Sequence, residues 1–255
     1  MNFEQHPLFL RAKKLALHGI VQNFAEMHNT PWLPDLLEKE ERARLARGLE
    51  RRIKQTNVGR FKPMAMFDWK ESPLEQEDVE RLFSFDFMAD ANNIILIGKN
   101  GVGKTMLAQN LIHEAAKLGH RTLFVDAARM IADLGKRPTT SALERRIKFY
   151  SQPKLLAIDE VGFFSFSVQA SDLFFQIIKD RYEHDSTIIT TNLPFSQWHE
   201  IFPNKALAGA IIDRLVHHSQ ILTVDGESRR VTEAMQNLKN TQASKQKVNK
   251  NSRGG

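Results

Sequence analysis

The sequence contains no cysteine, which excludes disulfides and cysteine-ligated zinc. It has no run of 18 apolar residues, the length at which a helix could cross a bilayer. The opening stretch MNFEQHPLFLRAKK lacks the basic-then-apolar layout of a secretory signal, so a cytoplasmic protein is the simplest expectation. Acids are missing from two segments. None occurs in 51–67, where Arg51, Arg52, Lys54, Arg60 and Lys62 remain. None occurs in 239–255, which holds Lys239, Lys245, Lys247, Lys250 and Arg253. The formal net charge of +6 is therefore concentrated in the tail, and the rest of the chain is close to neutral. That tail fits either a solvated end or a segment that touches DNA. No base-reading helix-turn-helix or zinc-finger pattern is present.

The 255 residues, 42% of them apolar, suffice for one α/β domain and a small extra one. Leu8, Leu15, Phe24 and Met27 recur at roughly helical spacing and predict a helix over 7–27, with Pro7 in its first turn. After Pro31 and Pro34, a second helix is expected over about 34–56, with an apolar stripe of Leu45, Leu49 and Ile53. Its other faces carry Arg42, Arg44, Arg47, Arg51, Arg52 and Lys54, preceded by Glu38, Glu40 and Glu41. The pattern suits helix pairing, and the acid-free stretch behind it favours a phosphate-contacting face.

A linker, MAMFDWKESP, and a helix near 75–90 then lead into alternating strands and helices. Strands are expected at 93–98, 122–127, 154–160, 186–192 and 220–226. Helices are expected at 104–119, 127–135, 141–151, 170–185 and 207–219. Five strands separated by helices imply a parallel sheet covered on both faces.

Between the first strand and its helix lies GKNGVGKT, residues 98–105, the spacing of a phosphate-binding loop. Gly98, Gly101 and Gly103 are expected to bend the backbone so that its N–H groups face phosphates, with the helix N-terminus adding partial positive charge. The cradle comprises Gly98, Asn100, Gly101, Val102, Gly103, Lys104, Thr105 and Met106. Lys104 would reach the β- and γ-phosphates of ATP, and Thr105 would give a hydroxyl to Mg²⁺. The run LLAIDE ends a buried strand with Asp159, a candidate for the Mg²⁺ shell, and Glu160, a candidate for orienting an attacking water. Small-molecule kinases usually lack that glutamate, which tilts the reading toward hydrolysis. Asn192 ends the next strand, where it either contacts the γ-phosphate or water or caps a turn before Pro194. Arg214 either pairs with Asp213 or acts on a neighbouring subunit's nucleotide.

The ordered set GKNGVGKTMLA, LLAIDE, STIITTN, DRLVHHS and LTVDGESRR resembles the IstB-like ATP-binding proteins. These are AAA+ helpers of insertion-sequence transposition related to the DnaC helicase loaders. The resemblance extends to KKLALHGI, MFDW and LERRIKF and covers the chain up to about 230. It implies a small all-α N-terminal domain (1–65), an AAA+ P-loop NTPase domain with a five-stranded parallel sheet (66–232) and a basic tail (233–255). It also implies ATP-dependent homo-oligomers on duplex DNA that assist a partner transposase, with a replicative helicase loader as the alternative. By motif match, Lys104 and Thr105 are Walker A, Asp159 and Glu160 Walker B, Asn192 sensor I and Arg214 the trans-acting finger. Two positions depart from the family pattern. Arg229 stands where an aromatic precedes Arg230, and Met106 stands where many relatives have His.

Three further features are expected to play smaller parts. Arg137, Arg145, Arg146 and Lys148 form either a DNA-facing patch or a charged helix surface. Phe163, Phe164 and Phe166 read as packing residues. His217 and His218 have no third ligand at a suitable spacing and, as helix neighbours, should diverge, which argues against a metal site.

Overall fold

The computed structural model describes residues 3–67, 69, 74–224 and 226. Arg229, Arg230 and the basic tail lie outside the described residues. The chain divides into two compact units, Met1–Ile53 and Lys54–Gly255.

In the first unit the single helix expected over 7–27 is three short ones: α1 (Pro7–Lys14), α2 (His18–Gln22) and α3 (Phe24–Met27). Ala16 takes a left-handed φ of 47° and ends the first of them. The break has a packing cause. In one straight helix, Leu15 and Phe24 would be separated by about 13 Å of rise. Folding back lets Phe24 join Ala12, Leu15, Leu33 and Leu37 in one small core, with Phe9 edge-on at 5.2 Å. The helix α4 (Trp32–Gln55) accommodates Pro34 in its first turn.

The expected stripe of α4 is not its buried face. Leu33 and Leu37 are buried, whereas Leu45 is 72% exposed. A 24-residue helix is about 36 Å long, and three short helices cover only its beginning. Several of its arginines are paired with acids: Arg42 with Glu38, Arg44 with Glu40 at 2.6 Å and Arg47 with Glu40 at 3.2 Å.

The second unit holds a sheet of five parallel strands: β1 (Asn93–Gly98), β2 (Thr122–Asp126), β3 (Leu155–Val161), β4 (Ser186–Thr191) and β5 (Ser219–Val224). The order is β2-β3-β4-β1-β5. Strand periodicity of two distributes the apolar residues between two cores. Ile94, Leu96, Leu155, Ala157 and Ile188 face α6 (Lys104–Lys117) through Leu107, Leu111 and Ala115. Ile95, Leu156, Ile158 and Ile189 face the opposite layer. That layer contains α7 (Ala127–Gly135), α8 (Thr140–Ser151), α9 (Val168–Arg181), α10 (Trp198–Ile201) and α11 (Lys205–Val216).

The helix expected at 75–90 is shorter, α5 (Gln76–Leu82), followed by a 3-10 turn at Asp86–Met88. Phe85, with φ 60°, separates the two. The edge strand β2 is covered by the chain entering the unit. Phe124 donates its N–H to the Thr56 carbonyl at 2.7 Å, and the Asn57 amide donates to the Phe124 carbonyl at 3.3 Å.

One buried cation organises the far end of the sheet. Arg181 is 1% exposed, and its guanidinium donates to the carbonyls of Ser151 (2.9 Å), Pro153 (2.7 Å) and Ser186, and to Thr187 Oγ1 (3.0 Å). Burial pushes its pKa down to about 10.

Candidate nucleotide-binding site

The loop 98–105 connects β1 to α6 at the carboxyl ends of the strands, where ligands bind in open parallel sheets. Gly101 and Gly103 have φ values of 85° and 108°, a region costly for residues with a Cβ, and Gly103 caps α6. Gly98 meets a packing requirement besides the phosphate-facing bend expected of it. A Cβ there would lie 2.2 Å from the Val224 carbonyl oxygen, so glycine is required by the approach of β5. Val102 is fully buried and Met106 packs against the same core, so their side chains support the loop from beneath. Asn100 is exposed. Phe67, from the MFDW linker, lies against Gly103, 3.5 Å from where a Cβ would stand.

The Lys104 ammonium donates to the carbonyls of Gly98 (2.6 Å) and Lys99 (2.8 Å), which keeps it folded over the loop. Thr105 opens the helix and its hydroxyl donates to Asp159 Oδ1 at 3.1 Å. Strand β4, inserted between β1 and β3, supplies a second hydroxyl, with Thr190 Oγ1 donating to the same carboxylate oxygen at 2.5 Å. Asp159 is 5% exposed. Burial raises its pKa above the ordinary carboxylate value, and the charge of Asp126 adds to the rise, while the two hydroxyls and Lys104 oppose it.

Glu160 adopts φ 61° within a strand whose register with β4 shifts between Ile158 and Val161. A left-handed glutamate costs about 1–3 kcal/mol and persists only where its surroundings hold it. Here its N–H donates to Thr190 Oγ1 at 2.9 Å. Thr190 thus grips both adjacent acids. Sequence reasoning passed over it, although a hydroxyl in a fully buried strand must find a partner and is a readable signal. Asp126 was passed over as well. It ends β2 in register with Asp159 and accepts from the Arg129 N–H at 2.8 Å to cap α7.

Asn192 follows β4 directly and its side chain lies over Gly162. A Cβ on Gly162 would stand 3.0 Å from Asn192 Oδ1. That oxygen is buried and has no protein donor among the described residues. A buried acceptor without a donor is costly, and it marks a candidate contact for a ligand or water hydrogen. Thr105, Asp159, Glu160 and Asn192 therefore all come from the carboxyl ends of β1, β3 and β4 or the loops that follow them. Their donor set of hydroxyl and carboxylate oxygens fits Mg²⁺, which prefers hard oxygen ligands.

Arg214 does not join them. Its backbone carbonyl and that of Leu215 accept from the Asn93 amide (3.4 and 3.1 Å) at the start of β1. About 16 Å of strand separates that point from the loop. Its guanidinium donates to the Ala210 carbonyl at 2.8 Å and lies over the rings of Phe175 (5.0 Å) and Tyr182 (5.8 Å).

The expected basic patch on α7 and α8 is partly neutralised. Arg137 and Arg146 both pair with Asp133, which also accepts from the Tyr150 hydroxyl at 2.8 Å. Burial and that bond push the Tyr150 pKa up to about 12. Arg145 and Lys148 are exposed. Phe166 is a core residue stacked on Phe202 at 4.6 Å, and Phe163 is 47% exposed. His217 and His218 do not diverge. The helix ends at Val216, their rings lie 4.0 Å apart, and Glu183 joins them.

The chain is 38% identical over 209 residues to the insertion sequence IS21 putative ATP-binding protein of Pseudomonas aeruginosa, covering 82% of this chain and 79% of that one. It is 33% identical over 228 residues to the IS232 putative ATP-binding protein of Bacillus thuringiensis subsp. berliner, covering 88% and 91%. The fold is similar to solved structures of DnaI (TM-score 0.57, 20% identity, 70% of this chain and 99% of that one) and of the DnaC helicase loader (0.51, 20%, 68% and 98%). AMPPCP-bound DnaA from Aquifex aeolicus is also similar (0.51, 19%, 69% and 56%). With the phosphate loop in place and a family match spanning residues 11–237, the chain belongs to the IstB-like ATP-binding proteins.

Proposed function

We propose that the protein is a Mg²⁺-dependent ATPase that assembles with copies of itself on duplex DNA and assists the transposase of an insertion sequence. The observation that carries hydrolysis is the grouping of Thr105, Asp159 and Glu160 with Asn192 Oδ1, which lies over Gly162 and has no donor among the described residues. The N–H groups of the loop and the Lys104 ammonium would bind the phosphates, with Lys104 leaving the two carbonyls it now holds. Thr105 and Asp159 would hold Mg²⁺, which neutralises charge on the phosphates when bound. Glu160 would orient the attacking water and Asn192 Oδ1 would accept from it.

This reading gives Arg214 to the nucleotide of a neighbouring subunit, because it stands at the opposite end of the sheet from its own loop. Self-assembly is inferred from that incomplete site. Duplex DNA and the transposase are inferred from the insertion-sequence relatives. The contacts would be mostly to phosphates and so salt-sensitive, with Arg145 and Lys148 available.

Sedimentation of the protein with ATP, on duplex DNA and on single-stranded DNA, tests the proposal. Large ATP-dependent assemblies on duplex are expected. Monomers on duplex with binding confined to single strands would overturn it in favour of a helicase loader.

A further inference from the structure

The ends of α9 and α11 lie side by side at the end of the sheet away from the phosphate loop. The turn after α9 carries Tyr182 and Glu183, and the residues closing α11 are His217 and His218. We propose that Glu183, His217 and His218 form a binding site for a divalent transition metal ion of the Zn²⁺ class. Each offers one ligand atom, and the three atoms lie within 4.8 Å of one another. Donors about 2.1 Å from a tetrahedral zinc stand about 3.4 Å apart, so closure by at most about 1.4 Å completes the set. All three side chains are exposed, which leaves room for that movement.

Two imidazoles and one carboxylate are borderline donors. They suit Zn²⁺, Co²⁺, Ni²⁺ or Cu²⁺ and not the hard cation assigned to the phosphate site. A partner already orients one ligand, since the Tyr182 hydroxyl lies 2.8 Å from His217 Nδ1. When that oxygen accepts from Nδ1–H, Nε2 carries the lone pair that a metal takes.

The supports behind the ligands are fixed on both sides. Arg181, immediately before Tyr182, is held by its bonds to Ser151, Pro153, Ser186 and Thr187. The end of α11 is held by the Asn93 amide, whose oxygen also accepts from the Thr187 N–H at 2.9 Å. The ion would thus join two anchored segments, with water in its remaining position, as in three-ligand sites generally.

The test is isothermal titration of the untagged full-length protein with Zn²⁺ in the absence of nucleotide, together with the visible absorption of its Co²⁺ complex. One equivalent is expected to bind, with affinity at least tenfold weaker in His218→Ala and in Glu183→Gln, and with unchanged circular dichroism. Absence of saturable uptake by the unmodified protein would overturn the proposal. Uptake that neither substitution alters would also overturn it and indicate an adventitious ion only. Because no ATP is present, failure here is distinct from failure of the ATPase reading.

Discussion

Replacing Thr190 by Val removes one hydroxyl and almost no volume, and it disturbs both acids of the candidate site. In the native protein Oγ1 donates to Asp159 Oδ1 at 2.5 Å and accepts from the Glu160 N–H at 2.9 Å. A hydroxyl has one donor and two acceptor lone pairs, so both bonds form at once. A hydrogen bond to a charged group contributes about 1.5–3 kcal/mol, and a buried donor deprived of its acceptor costs about 1–3 kcal/mol. Valine suits a strand and returns part of this. The net expectation is a loss of about 3 kcal/mol, which lowers Tm by roughly 6–12 °C in a domain of this size.

The catalytic effect should be larger than the loss of stability implies. Glu160 would lose a bond that holds its left-handed conformation, and ATP turnover is expected to fall about 100-fold, the scale of losing one positioned polar group at a reacting centre. The pH profile supplies the sign. The Asp159 pKa is already raised by burial and lowered in part by the Thr190 bond, so losing that bond raises it further. Turnover that needs ionised Asp159 should then fail at a higher pH in Thr190→Val than in the native protein. Thr190→Ser keeps the hydroxyl and should keep turnover within a few-fold. Native turnover and an unshifted pH profile in Thr190→Val would refute the reasoning.

The other predictions concern the same site and the far end of the sheet. Because the folded Asp159 holds its proton above the ordinary carboxylate value, ligand-free stability should fall as pH rises from that value through the raised one. Asp159→Asn should therefore raise the Tm of the ligand-free protein at neutral pH while abolishing the extra stabilisation by ATP with Mg²⁺, both read by calorimetry. Glu160→Gln should bind ATP normally and slow turnover at least 100-fold, as read by nucleotide titration and phosphate release; unchanged turnover would remove Glu160 from the mechanism. Arg214→Ala should leave ATP binding by dilute protein intact and reduce turnover of the assembled protein by about 10³-fold, the lower range for arginine fingers. An equal loss of binding in dilute protein would mean that the residue acts within its own subunit. Arg181→Met should destabilise by about 3 kcal/mol in denaturant titrations, since it leaves three carbonyls and the Thr187 hydroxyl without their donor.

What the sequence by itself determined is local. Five strands follow from apolar runs with turn residues at their ends, and all five are present within two residues of the expected bounds. The phosphate loop follows from glycine spacing, because conformational freedom at Gly101 and Gly103 and the start of α6 are properties of a few adjacent residues. The broken N-terminal helix and the exposed Leu45 were not legible in this way, since periodicity cannot say what a helix packs against. Only the tertiary structure decided which strand stands between β1 and β3. That order brings Thr190 onto Asp159 and Glu160 and leaves Asn192 Oδ1 buried without a donor among the described residues, 92 to 94 residues after the loop began. It also put Arg214 at the far end of the sheet, assigned Arg137 and Arg146 to Asp133, and brought Glu183 to His217 and His218. The physical reason is the same in each case. Backbone preference is set by near neighbours, whereas the partner of a charge or hydroxyl is set by strand order and helix termination, which depend on how the whole apolar surface is buried.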